Sequence, residues 1–386
     1  AQQSQASQLE EVTTANADQQ ESIDQGADNL ARALGESASS GWLARWQWRG
    51  DLRYRNENID AEGAVARNRD RIRGRFGALA RVNDTVRVEW QLSTAENADA
   101  RSTNVTLSDA NSRKSVYIDL AYGEWMPNEQ WRLTAGKMKM PWTRVGSYFY
   151  DGDINPEGFA ANYQRKNGTR TLFGTVGYFP MKDNVDGDGV ERDNDLGLYA
   201  LQVGAAFDVG SRARLTIGAS SYQFSNDGQP ERTGAPTLGL IGNGNTTDRF
   251  GLYEGFSQLD VIGLPLPLSL YGQYIRNAEA RDYKNYTEGD EDTAWLAGFR
   301  TNVSGIALDY NYRVVEQNAV VGILTDSDFA AGYVSSNGHK LRAQYDLLEN
   351  FNVSLTWFLA ESDAASRNNG DDATVETFML DVNARF

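Results

Sequence analysis

The stretch Arg45-Trp-Gln-Trp-Arg-Gly-Asp-Leu-Arg-Tyr-Arg55 repeats with a period of two. In an extended chain Trp46, Trp48, Gly50, Leu52 and Tyr54 fall on one side. Arg45, Gln47, Arg49, Asp51, Arg53 and Arg55 fall on the other. The next segment repeats the pattern, with Arg67, Arg69, Arg71, Arg73 and Arg75 against Ile72, Gly74, Phe76, Ala78 and Ala80. A third sets Val86, Val88, Trp90 and Leu92 against Arg87, Glu89, Gln91 and Ser93. Alternation alone fits two architectures. In a soluble sandwich the apolar side is the core. In a transmembrane barrel the apolar side meets lipid and the charged side lines a wet lumen.

Strand length and connection length separate the two. Sixteen segments carry the pattern, at about 45–56, 67–81, 84–95, 113–126, 130–140, 157–166, 169–181, 195–208, 211–226, 248–262, 265–279, 292–302, 304–316, 335–347, 350–362 and 373–386. Globular strands run to about five or six residues. These segments suit a tilted crossing of an apolar band about 25 Å tall. After even-numbered segments the turns are tight, as at Asn167–Gly168 and Val209–Gly210. After odd-numbered ones the loops are long and polar: 57–66, 96–112, 141–156, 182–194, 227–247, 280–291, 317–334 and 363–372. Short turns at one rim and long loops at the other predict an all-β membrane protein, a 16-stranded antiparallel transmembrane β-barrel over residues 41–386. An even strand count puts both chain ends at the turn rim, which is periplasmic in a Gram-negative outer membrane. The last segment alternates Phe378, Leu380, Val382, Ala384 and Phe386 with Thr377, Met379, Asp381, Asn383 and Arg385 and ends on phenylalanine. That resembles the recognition signal of the outer-membrane barrel assembly machinery.

Composition narrows the function classes. The 386 residues include 53 acids and 37 bases, for a net charge of −16. That balance speaks against nucleic acid as a partner. The absence of cysteine removes disulfides and thiolate chemistry. The single histidine, His339, removes sites that need two imidazoles. No Ser–His arrangement or phosphate-binding glycine loop is evident, so neither an enzyme nor a required cofactor is expected. No apolar run is long enough for a membrane helix, which says nothing about strands. The chain opens at Ala1 without a charged n-region or apolar core, as expected after removal of a signal peptide.

Residues 1–40 differ from the rest. They hold seven acids, one base and no aromatic residue. Leu9, Asn16, Ile23 and Leu30 are spaced by seven, with Val12, Gln19, Gly26 and Ala33 in the companion seam. Two readings stand: an acidic tail, or a periplasmic α-helical, coiled-coil-like extension that forms in an oligomer and touches a periplasmic or cell-wall partner.

Three stretches resemble a known family. They are Gly50-Asp-Leu-Arg-Tyr-Arg55 with Arg69-Asp-Arg-Ile-Arg-Gly-Arg-Phe76, then Ala135-Gly-Lys-Met-Lys-Met-Pro141, and Asp151-Gly-Asp-Ile-Asn-Pro-Glu-Gly158. They are similar to the putative porin family of proteobacterial outer membranes, a relative of the phosphate-selective porins O and P. The resemblance implies a 16-stranded homotrimeric porin in contact with outer-membrane lipid and lipopolysaccharide, passing small hydrophilic solutes.

The expected lumen chemistry is an arginine ladder. Eleven arginines lie between Arg45 and Arg87, and Arg45, Arg49, Arg53, Arg55, Arg69, Arg71, Arg73, Arg75 and Arg87 are the candidates for the inner wall. Asp51, Asp70 and Glu89 are candidates to neutralise part of it. Loop 141–156 is expected to fold inward, anchored by Trp142, Tyr148, Phe149 and Tyr150. It would set Asp151, Asp153 and Glu157 against the arginines, with Lys137 and Lys139 at the mouth. Opposed fixed charges of this kind set ion preference. Loop 182–194 carries a second motif. Asn184, Asp186, Asp188 and Asp195 follow EF-hand spacing around Gly189, a candidate Ca²⁺ set. Its first position is Asn and its twelfth Asp, both departures from the pattern; an acidic solvated loop is the other reading.

Overall fold

The computed structural model describes residues 45–108, 110–146, 149–183, 195–227, 240, 242–261, 264, 266–280, 291–363 and 373–386. The expected extension at 1–40 lies outside them, as do Tyr148, Asn184, Asp186 and Asp188.

Seventeen strands form one antiparallel sheet. They are β1 (Trp46–Ala61), β2 (Arg67–Arg81), β3 (Val86–Thr94), β4 (Val105–Thr106), β5 (Val116–Trp125), β6 (Trp131–Lys137), β7 (Glu157–Asn167), β8 (Arg170–Lys182), β9 (Leu196–Val209), β10 (Ala213–Ser225), β11 (Gly251–Val261), β12 (Leu268–Asn277), β13 (Thr293–Val303), β14 (Ile306–Val315), β15 (Ser336–Leu348), β16 (Phe351–Ser362) and β17 (Ala373–Arg385). Sixteen of these are staves of a closed barrel. The other, β4, is a two-residue piece of the second long loop lying on β2. Each stave pairs with its neighbours in sequence, and β17 returns to β1 over Asp51–Ala61. Closure leaves no edge, the condition for β structure to cross a bilayer.

The period of two becomes two chemically distinct faces. On β1, Leu52 is 56% exposed on the outside while Arg55 is 5% exposed inside. Outward aromatics gather near both rims. Tyr178, Tyr199, Tyr253, Tyr274 and Trp295 stand towards the loops, and Trp125, Trp131, Tyr345 and Phe386 towards the turns. Two such belts flank the lipid-facing band of a membrane barrel. Positive φ marks several of the described tight connections, as at Gly168, Gly210 and Asn350. Between β13 and β14 both Ser304 and Gly305 have positive φ, as a two-residue hairpin requires, and the Gly305 N–H donates to the Asn302 side chain.

The interior is not evenly open. One side is filled by an apolar cluster from β8–β14 and the inward loops, including Phe149, Phe250, Leu252, Ile275, Leu296, Val320 and Val321. The opposite side, formed by β1, β2, β3, β5 and β17, stays charged. Any passage through the barrel is therefore off-centre and runs along the charged wall.

Candidate functional site: an arginine wall met by three loops

The charged wall begins with register. Arg53 lies opposite Arg73, Arg55 opposite Arg71, and Asp51 opposite Arg75. Like charges directly across a strand pair repel, so the ladder depends on acids placed between its rungs. Asp51 takes Arg73 at 2.8 Å and Arg75 at 2.7 Å. Glu57, 1% exposed, takes Arg69 at 2.5 Å and Arg71 at 3.2 Å. Asp381 on β17 takes Arg55 at 2.7 Å. Glu89 pairs with Arg49 and, at 3.1 Å, with Lys139. Glu124 pairs with Arg87 and, at 2.8 Å, with Arg132. Arg53 is the exception. Its Nη2 donates to the Asn104 side-chain oxygen at 2.6 Å, and among the described residues no carboxylate lies in ion-pair range. Arg45 precedes β1 at the turn rim and is exposed.

Several of these partners were not legible as a set. Glu57, Glu124 and Asp381 sit in the inward phase of their own strands. Asp70 does not join the ladder: it lies in the outward phase and accepts from Tyr54 at 2.7 Å and Asn56 at 2.9 Å. A β-bulge opposite Gln91 and Leu92 adds a further acid. There Asp119 and Leu120, adjacent in sequence, are both buried, and Asp119 accepts from Gln91 and Asn155, each at 2.7 Å.

Loop 141–156 folds into the barrel. Trp142, Phe149 and Tyr150 are buried. Gln202 on β9 clamps Thr143 by accepting from its N–H at 2.7 Å and donating to its carbonyl at 3.0 Å. Loop 316–335, for which the sequence offered no such reading, folds in as well. The two loops pair like short strands: the Asp151 N–H donates to the Leu324 carbonyl and the Asp326 N–H to the Phe149 carbonyl, each at 3.0 Å.

Asp326, Ser327 and Asp328 then reach three different elements. Asp326 pairs with Arg313 on β14 at 3.2 Å. Ser327 donates its N–H at 2.9 Å and its hydroxyl at 2.8 Å to the Asp151 carboxylate. Asp328 pairs with Arg55 at 3.1 Å. The second long loop completes the junction, with Thr103 donating its hydroxyl to Asp153 at 2.9 Å.

The expected acids therefore divide. Asp153 lies within electrostatic range of Arg53 and Arg73. Asp151 does not face the ladder; it is buried in the loop junction. Burial, then the nearby carboxylates of Asp326, Asp328 and Asp153, push its carboxyl up to about 8. Lys137 and Glu157 are corrections. They lie opposite each other in the phase of Ala135 and Phe159, which is exposed on the outer face, and pair at 2.9 Å at the loop rim, away from the arginines. Lys139 instead reaches the wall through Glu89. Of the Ca²⁺ candidates only Asp195 is described, and its carbonyl accepts from Asn226 at 2.8 Å.

Two chambers flank this junction along the wall. The one towards the turn rim, of about 650 Å³, is lined by Arg49, Asp51, Arg75, Lys139 and Asp153. The one towards the loop rim, of about 170 Å³, is lined by Glu57, Arg69, Arg71, Asn104 and Asp328. On β1, Asp51 borders the first and Glu57 the second. Arg53 and Arg55 lie between them.

Comparison with known proteins agrees with this architecture. The barrel of OprB from Pseudomonas putida superposes with a TM-score of 0.55 at 9% identity, covering 89% of this chain and 95% of that one. OmpF from Salmonella typhi gives a TM-score of 0.51 at 11% identity, covering 88% of this chain and 97% of that one. Identities this low speak to the fold alone. No curated protein matches the sequence. The putative porin family, however, matches residues 58–248 and 290–386, about three quarters of the chain. The chain belongs to the putative porin family, and its barrel is a channel for passive diffusion.

Proposed function

We propose that the channel is a charge-filtering porin of the Gram-negative outer membrane and that its filter is the rung of Arg53 and Arg55. The observation that carries this is their contact with two inward loops, Asn104 on Arg53 and Asp328 on Arg55, between the two chambers. Small hydrophilic solutes would diffuse past this rung without a cofactor. A second reading has its own support. Among the described residues Arg53 has no carboxylate in ion-pair range, which favours anions, phosphate among them. The aromatic belts suit contact with phospholipid and lipopolysaccharide. Assembly as a homotrimer, a periplasmic helical extension at 1–40 and Ca²⁺ at Asn184, Asp186, Asp188 and Asp195 belong to the same proposal.

Conductance of the purified barrel in a planar bilayer, under a salt gradient, tests it. The expected result is stable open steps, with a reversal potential that moves towards cation preference in Arg53→Ala. A reversal potential indifferent to that change would refute the filter. Absence of conductance from the folded barrel would refute an open pore.

A further inference from the structure

Apart from the charged passage, the barrel holds a cavity of different chemistry. It lies between the loop-rim ends of β7–β10 and the inner side of loop 141–156, with a volume of about 240 Å³. Trp142, Tyr150, Phe179, Leu198, Tyr222 and Phe224 wall it, and none is more than 7% exposed. Trp142 meets Phe179 edge-on, with ring centres 5.8 Å apart, and Tyr150 meets Tyr222 edge-on at 6.3 Å. Edge-to-face packing of this kind fixes the rings and holds the walls in shape.

Charge at the mouth is already satisfied. Lys137 donates to Glu157 at 2.9 Å and to the Asn155 carbonyl at 3.2 Å. Among the described residues that line it, no unpaired charge remains to draw an ion. An apolar cavity of about 150 Å³ stays dry and accepts benzene, so this one has room for a larger ring system. Loop 316–335 borders both the cavity and the filter, and loop 141–156 borders the cavity and sets Asp153 within electrostatic range of Arg53. Trp142 and Tyr150 share a loop with Asp153, and Leu324, another wall residue, shares one with Asp328.

We propose that this cavity binds a small uncharged aromatic solute of one or two fused rings, entering from the loop rim, and that its occupancy lowers ion flow through the two loops it shares with the charged wall. The effect on flow rests on the diffusion-channel reading; the binding does not.

Two measurements with indole as the probe keep these apart. In planar bilayers, indole on the loop side lowers wild-type current saturably. Leu198→Trp fills the cavity with an indole of its own; its current without the probe is already reduced towards the indole-saturated wild-type level, and any further fall needs about tenfold more indole, the loss expected when a buried ring is excluded. Met181→Trp fills it from the rim and serves if Leu198→Trp does not fold. In parallel, fluorine NMR of 5-fluoroindole with the barrel in amphipol reads binding without conduction. A saturable bound signal that disappears in the filled variant supports the site even in a barrel that does not conduct. Equal signals in wild type and filled variants, or none in wild type, overturn it. Binding without any change in current overturns the link to the loops.

Discussion

At the scale of single residues, Arg55 is the most constrained member of the wall. It is 5% exposed and holds Asp381 at 2.7 Å and Asp328 at 3.1 Å. Removing one partner of a buried ion pair strands the other, at a cost of about 3 kcal/mol. Arg55→Ala should therefore lower barrel stability by about that amount, read from denaturant unfolding followed by heat-modifiable gel mobility; an unchanged midpoint would refute the accounting. Gly50 makes a steric counterpart. A Cβ there would run into the Phe386 ring and the Arg75 carbonyl. Gly50→Val should reduce the folded fraction recovered from membranes, whereas Gly74→Ala should not, because the nearest atom to a Cβ at Gly74 is 3.8 Å away. The arginines themselves were legible because a period of two assigns each to a face. Their partners were not, because Asp381 stands 326 residues from Arg55 and only barrel closure brings the two together.

At the scale of elements, the loop junction has a built-in pH response. The carboxyl of Asp151 is raised to about 8 from an ordinary value of 3.8, first by burial and then by Asp326, Asp328 and Asp153. The sign follows from proton uptake. Between those two values the docked loop holds a proton that the released loop does not, so docking weakens as pH rises from about 4 to about 8 and changes little above that. Loop release, measured by limited proteolysis at residues 141–156, should increase across this window, and Asp151→Asn should flatten the dependence. A slope that survives in Asp151→Asn would assign it to another group. Asp328→Asn, which weakens the tie to Arg55, should increase open-channel noise; a trace as quiet as wild type would count against the junction as the narrow point. Sixteen strands were readable from alternation and length, and the inward course of loop 141–156 from its place as the third long loop and its run of aromatics. Loop 316–335 was not. Its Val320 and Val321 are buried in the apolar cluster inside the barrel from an irregular segment, so neither a strand period nor a helical one marks them. The bulge at Asp119 was equally hidden, since an extra residue changes phase without changing composition.

At the scale of the whole molecule, the barrel closes by pairing β17 with β1. Deleting residues 1–40 should leave single-channel conductance unchanged; a large change would show that the extension reaches the pore. The mode of closure has a consequence for biogenesis. Gly50 and Phe386 exchange backbone hydrogen bonds, with the Gly50 N–H donating at 2.8 Å and the Phe386 N–H at 3.0 Å. The seam therefore cannot be completed until Phe386 has reached β1. While it waits, β1 can take β2 on one side, but its other side is an open edge. Such edges invite pairing with the wrong chain, and charged side chains discourage it. β1 presents Arg49, Asp51, Arg53, Arg55 and Glu57 along one face of that edge. The residues that line the finished passage thus also guard the unfinished protein against sticking to its neighbours.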